Sequence, residues 1–145
     1  MPGHSNTEGI DRVIDANLNR THEGLRVCEE IARFILNSRV LTSELKNARH
    51  QVRLIVRNER VFANLIRQRK SLQDPGKEIY GQELKRKDYR DIFFANIQRV
   101  KESMRVLEEF SKLKSTNSAI RFKRIRYQIY EIEKKIAQRL AHDTA

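Results

Sequence analysis

The chain has 145 residues, which fits one domain able to bury one real core. Thirty Lys and Arg against 19 Asp and Glu give a formal charge of +11, which favours polyanions, phosphorylated small molecules or acidic partners without choosing among them. A single cysteine excludes an internal disulfide framework, and no apolar run approaches the ~20 residues of a membrane span, so a reducing, cytoplasmic setting is expected.

Residues 1–9 hold no apolar leader core and read as a flexible tail ahead of a single helical domain over 10–141. The apolar spacing predicts a first helix over Ile10 to Leu36 and a second over Thr42 to Arg69, with Thr42 as its N-cap. A connection over 70–88 follows, holding Ser71, Asp74-Pro75-Gly76-Lys77 and Gly81; it reads either as a lid or ligand loop or as a solvated crossover. Asp88 is a fitting N-cap for a third helix over Tyr89 to Leu113, and a fourth spans Ser118 to Ala141. Strand signals are nearly absent.

The halves are copies. Residues 16–31 return as 95–110, 79 places on, pairing Asn17 with Asn96, Arg20 with Arg99, Glu23 with Glu102, Arg26 with Arg105 and Glu29-Glu30 with Glu108-Glu109. Lys46, Arg49 and Gln51 match Lys123, Arg126 and Gln128 with a shift of 77, so the first turn is two residues longer. Polar positions are kept as closely as apolar ones, which packing alone would not require. The expected fold is all-α: a pseudo-twofold four-helix bundle of two repeated hairpins, repeat one over about 10–69, a linker over 70–88 and repeat two over about 89–141.

At about 100° per residue, Asn17, Arg20 and Gly24 fall inside the apolar arc of the first helix, and Asn96, Arg99 and Ser103 inside that of the third. A guanidinium facing a core needs carboxylates, carbonyls or a bound anion. Two readings stay open: a central polar pocket where the two sets meet, or a buried Arg–Glu network using Glu23, Glu102 and Glu59 that fixes helix register. Arg49 and Arg126 lie at the edge of their stripes, and His50 opposite its own. Glu29-Glu30 and Glu108-Glu109 read as a divalent-metal site or as a solvated edge. Cys28 reads as core, and Tyr127 and Tyr130 as packing at a core boundary. There is no Gly-x-x-x-x-Gly-Lys-Ser/Thr or Gly-x-Gly-x-x-Gly nucleotide cradle and no zinc-like ligand spacing.

Asp15-Ala-Asn-Leu-Asn-Arg20, Glu23-Gly-Leu-Arg-Val27 and Glu29-Glu-Ile-Ala-Arg-Phe34, then Glu44-Leu-Lys-Asn47 with Arg49-His50, then Ala95-Asn96, Arg99, Glu102 and Arg105-Val-Leu-Glu-Glu-Phe-Ser-Lys112, and last Arg126-Tyr127 with Tyr130, carry a resemblance. Together, over about residues 10–136, they resemble the helical hydroxymethylpyrimidine-phosphate kinase family, which is often fused ahead of thiamine-phosphate synthase.

The resemblance implies phosphoryl transfer from ATP, with Mg²⁺, to hydroxymethylpyrimidine phosphate in thiamine biosynthesis, with thiamine-phosphate synthase as a partner. Phosphoryl transfer needs positioning and charge neutralisation. On the family's motif positions, Arg20, Glu23, Arg99 and Glu102 take the catalytic roles. Asn17, Asn96, Arg49 and Arg126 bind substrate, and Glu30 is a metal ligand. Pro75 lacks an amide donor, which weighs against a phosphate cradle made from the loop's backbone. Rival readings are a chorismate-mutase-like helical enzyme, which the duplication opposes, and a basic module that binds nucleic acid or protein without catalysis. Interleaved acids disfavour nucleic acid, and self-association is left open.

Overall fold

In a computed structural model that describes residues 2–78 and 81–143, the charged stretches form four long helices: α1 (Pro2–Glu30), α2 (Arg39–Asn58), α3 (Tyr89–Ser111) and α4 (Thr116–Asp143). Met1 of the expected tail, and Ile79 and Tyr80 of the expected linker, lie outside the described residues. No strand occurs among the described residues, and the fold is all-α. Helix α1 is already helical at Pro2, ahead of the expected start at Ile10.

Helix α1 packs on α2 and α3, and α4 packs on the same two. Contacts along each pair run in opposite directions. Thr21 meets Ser103 while Cys28 meets the Phe93 carbonyl, and Glu44 meets Lys135 while Glu59 meets Ser115. The core between the helices is aliphatic and aromatic: Leu25, Leu45, Val52, Phe93, Met104, Phe122 and Ile129 are all fully buried.

The seam between α1 and α3 is set by four positions. Thr21 and Ser103 share a 2.7 Å hydrogen bond; Ser103 donates its own proton to the Val100 carbonyl at 3.0 Å, so Thr21 is the donor to Ser103. Across from them, a Cβ on Gly24 would lie 2.6 Å from Val100 Cγ2 and 3.1 Å from the Asn96 carbonyl oxygen. Only glycine lets the helices come this close.

Both hairpins turn on a serine. Ser38 accepts the Leu41 amide at 3.2 Å and Ser115, 77 places on, accepts the Ser118 amide at 3.1 Å. The first cap is therefore Ser38 and not Thr42, whose hydroxyl instead donates to the Ser38 carbonyl at 2.6 Å. Asp88 caps α3 by accepting from the Arg90 and Asp91 amides. The longer first turn is absorbed by a π-helical stretch, Ile31–Ile35, followed by Asn37 at φ 51°, a left-handed position that asparagine tolerates. Phe34 and Ile35, in this wider winding, are both exposed.

Helix α2 stops at Asn58, well before the expected Arg69. The chain instead crosses the bundle in short 3₁₀ turns, Arg60–Phe62, Leu65–Gln68 and Ser71–Gln73. It does so because Phe62 and Leu65 are buried off the helical course, Phe62 edge-on to Phe122 at 6.5 Å. Glu59 therefore lies outside α2 and is no part of an apolar stripe; it accepts a 3.5 Å hydrogen bond from Ser115.

Candidate active site

The buried stripe of α1 runs through Ile14, Leu18, Leu25 and Cys28, with Thr21 at its centre and Asn17 buried beside it. Arg20 falls at the edge of that arc and is exposed, and Arg99 likewise on α3. Neither guanidinium enters the core, and Gly24 and Ser103 serve the helix seam instead of making room for one. Among the described residues the crossing is held by the Thr21–Ser103 hydrogen bond and the Gly24–Val100 approach.

The buried charges lie elsewhere. Glu29 accepts from Arg49 Nε at 3.2 Å, and Arg26 Nη1 stands 3.9 Å away. In the second copy Glu108 is held by Arg126 at 3.4 Å and Arg105 at 3.3 Å. Each carboxylate fastens one hairpin, so Arg49 and Arg126, read as stripe-edge residues, are structural partners of buried acids. The outer acids, Glu30 and Glu109, pair with Arg26 and Arg105 at 3.2 Å. Neither adjacent pair is a simple solvated edge. Among the described residues no group of three His, Cys, Asp or Glu side chains is placed to hold a metal ion.

A cleft of about 690 Å³ opens where the 3₁₀ segment passes over α1, lined by Arg12, Asn17, Arg20 and Glu23 of the helix and by Arg69, Lys70, Ser71 and Asp74 of the segment. This volume suits a small molecule. Asp15 holds the two walls together, accepting from Arg69 Nε and Nη2 at 2.7 Å each in a forked pair. Lys70 reaches Glu8 at 2.6 Å. Among the described residues, Arg12 and Arg20 have no carboxylate within 4 Å; Arg20 contacts only the Asn17 amide oxygen, at 3.4 Å. Asn17 is itself fixed, donating to the Val13 carbonyl at 2.8 Å, so it orients the Arg20 guanidinium.

The cleft thus gathers Asn17, Arg20 and Glu23 of the expected site, and leaves out Asn96, Arg99 and Glu102 of the second copy. Asn96 repeats the Asn17 bond, donating to the Ile92 carbonyl at 2.8 Å. Glu102 lines a shallower groove with Lys101, Arg126 and Tyr130. Glu30 and Arg49 line a neighbouring groove with His22, Arg26 and Arg53, which meets the cleft at Glu23. His22 is half-buried there, and its pKa is lowered by burial first and then by Arg53 and Arg49, which keeps the imidazole neutral at pH 7.

Sequence reasoning missed Arg12, Asp15 and Arg69, while Lys70, Ser71 and Asp74 belong to the connection read as a ligand loop or a crossover. The signal was where the copies disagree: Arg12 faces Asp91 in the alignment and Asp15 faces Phe94, so the charges of the first copy are not repeated.

Four helices in two like hairpins, with an arginine-lined cleft beside α1 strapped by Asp15 and Arg69, describe an all-α protein. The ThiD2 family model matches residues 12–135, nearly the whole chain, and the chain belongs to the ThiD2 family. It is 39% identical over 134 residues to the thiamine-phosphate synthase of Nostoc punctiforme, covering 92% of this chain and 37% of the relative. It is 38% identical to that of Synechocystis, covering 90% and 38%, and 39% identical to that of Rhodopirellula baltica, covering 87% and 35%. The chain therefore spans little more than a third of the curated relatives it matches. No solved structure matches it.

Proposed function

We propose that this chain works in thiamine biosynthesis and transfers the γ-phosphoryl group of ATP to hydroxymethylpyrimidine phosphate in the cleft beside α1. Family membership and the names of the relatives support the pathway, and the resemblance of its motifs supports the reaction. The observation that carries it is the pair Arg12 and Arg20, two guanidiniums lining one cleft with no carboxylate within 4 Å. Such cations favour phosphate oxygens, which take a guanidinium fork in good geometry.

The acceptor is a phosphate monoester, whose second ionisation near pH 6 leaves it largely dianionic at neutral pH. Its oxygen attacks the γ-phosphorus, the bond to the β–γ bridging oxygen breaks, and the electron pair leaves with ADP. No proton has to be removed first. Glu23 therefore has no need to act as a base, and the work falls to positioning and neutralisation. Arg12 and Arg20 hold phosphate oxygens, Asn17 keeps Arg20 aimed, and Lys70 and Ser71 close from the opposite wall.

Mg²⁺ fits this site as a partner of nucleotide phosphates, since it is commonly held by one or two carboxylates plus phosphates and water. Glu23, which has no partner among the described residues, and Asp74, whose Oδ1 accepts only from the Gly76 amide at 2.8 Å, are the carboxylates in the cleft that would hold it. When bound it neutralises charge on the transferring phosphoryl group. Glu30, fixed by Arg26 outside the cleft, is not among them.

The test is ADP release from Mg-ATP with and without hydroxymethylpyrimidine phosphate. Release that depends on the pyrimidine and falls at least a hundredfold in Arg20→Ala and Arg12→Ala, with Arg99→Ala near wild type, is the expected result. Release unaffected by Arg20→Ala removes the cleft from the reaction.

A further inference from the structure

Each hairpin carries an equivalent groove beside its buried glutamate, and the two have diverged. The first, about 440 Å³, is lined by Glu29, Arg33, Thr42, Ser43 and Lys46. The second, about 450 Å³, has Glu108, Lys112, Ala119, Ile120 and Lys123 at the matching positions, with Tyr127 added. Acid and cations are kept while the hydroxyls give way to apolar groups. Ile120 is 51% exposed and Tyr127 55% exposed, so folding gains little from the change.

The wall of the second groove is also incomplete. In the first hairpin Arg49 Nε donates to Glu29 Oε1 at 3.2 Å. In the second, Arg126 gives Nη1 to Tyr130 at 2.6 Å and Nη2 to Glu108 Oε2 at a long 3.4 Å. This leaves Arg126 Nε and Glu108 Oε1, both buried, with no hydrogen-bond partner among the described residues. Buried groups of this kind are rarely left unpaired. One donor and one acceptor in touching residues match the edge of an aromatic ring that presents an amino group beside a ring nitrogen.

We infer that the groove between α3 and α4 is a second ligand site, for an amino-substituted aromatic heterocycle carrying a phosphate. The ring lies against Ile120 and Tyr127, its polar edge inserts at the 3.4 Å contact, and the phosphate meets Lys123 and competes for Lys112 with Glu109, which pairs with it at 2.8 Å. Among the described residues Lys123 has no ion pair. The site is separate from the cleft. Phe110 lines the cleft while Glu108 and Lys112 line the groove, on faces of α3 about 200° apart. Adenylate and a phosphorylated aminopyrimidine share this chemistry, and the experiment separates them.

The full chain in the Arg20→Ala background, which disables the cleft, is titrated with adenosine 5′-monophosphate, hydroxymethylpyrimidine phosphate, inorganic phosphate and adenine. The readouts are calorimetric stoichiometry and tyrosine fluorescence, which is unobscured because the chain has no tryptophan. One equivalent of one of the two phosphorylated heterocycles is expected to bind and change the fluorescence, with phosphate or adenine alone at least tenfold weaker. Ile120→Ser with Tyr127→His restores the first copy's residues at exposed positions and should weaken binding at least tenfold in a chain that stays folded, its thermal midpoint lowered only by the loss of the Tyr127 contacts with Tyr130 and Arg126. No binding in the Arg20→Ala background, or binding indifferent to the double substitution, overturns the site. Groove binding without pyrimidine-dependent ADP release would defeat the kinase reading alone.

Discussion

Arg69 reaches across 54 residues of chain to grip Asp15 through two hydrogen bonds of 2.7 Å. The fork ties the crossing segment to α1 and gives the cleft its second wall. Asp15 is buried and Arg69 half-exposed, so the pair is weaker than a fully enclosed one. Asp15→Asn is expected to cost about 1 kcal/mol in chemical denaturation and to make the 60–74 segment visibly more sensitive to limited proteolysis. KM for the nucleotide should rise more than kcat falls. An unchanged proteolysis pattern would show that the segment is held by Phe62 and Leu65 alone.

Gly24→Ala should destabilise, against the usual gain of about 0.4–1 kcal/mol when a helical glycine becomes alanine. The added methyl would sit 2.6 Å from Val100 Cγ2, and forcing such overlap into a packed seam costs about 1–3 kcal/mol. Gly24→Ala with Val100→Ala should recover part of that loss, but not all, because the Asn96 carbonyl remains 3.1 Å away. Gly9→Ala, with nothing within 4 Å, is the control and should be neutral or stabilising. Equilibrium unfolding of the native chain, Gly24→Ala, Val100→Ala and the double substitution measures the coupling.

Cys28 should be chemically silent in the folded chain. Burial pushes its thiol up to about 12, with Glu133 adding to the effect, so almost no thiolate exists at pH 8. Reaction with a disulfide reagent is expected to be on the order of a hundredfold slower in buffer than in denaturant, limited by opening of the α1–α3 seam. Equal rates would mean that the seam opens freely.

His22 predicts a loss of stability on acidification. Its folded pKa lies below the unfolded value because of burial and then Arg53 and Arg49, so the unfolded chain binds the proton more readily. This contribution is intact above the unfolded value near 6.5 and is lost as pH falls through the lower folded one. The thermal midpoint should drop between pH 7.5 and 5 in the native chain and drop less in His22→Gln. Identical slopes would assign the acid sensitivity to other groups.

The hairpins, the long helices and the Asp88 cap were legible because period and capping chemistry are local. The place of Arg20 was not, because it lies at the edge of the apolar arc, where less than one residue's rotation of about 100° decides between core and flank. Thr21 is the instructive case: a polar β-branched residue at the centre of the buried stripe, whose hydroxyl is satisfied by Ser103, 82 residues away. The end of α2 was hidden for a like reason, since Phe62 and Leu65 take their direction from α4 and α1. Half of the candidate site was readable from one copy, through Asn17, Arg20 and Glu23. The other half comes from the segment between the copies, where no repeat exists to compare.

The α1–α3 seam also decides which halves can recognise each other. Thr21 fits Ser103 and Gly24 fits Val100, but two first hairpins would oppose Thr21 to a glycine that offers it no side chain, and two second hairpins would oppose Val100 to a serine. Cut within the crossing segment and produced as separate peptides, the halves should therefore form a mixed pair in preference to either self-pair. The duplication has become complementary, each hairpin better matched to the other than to a copy of itself.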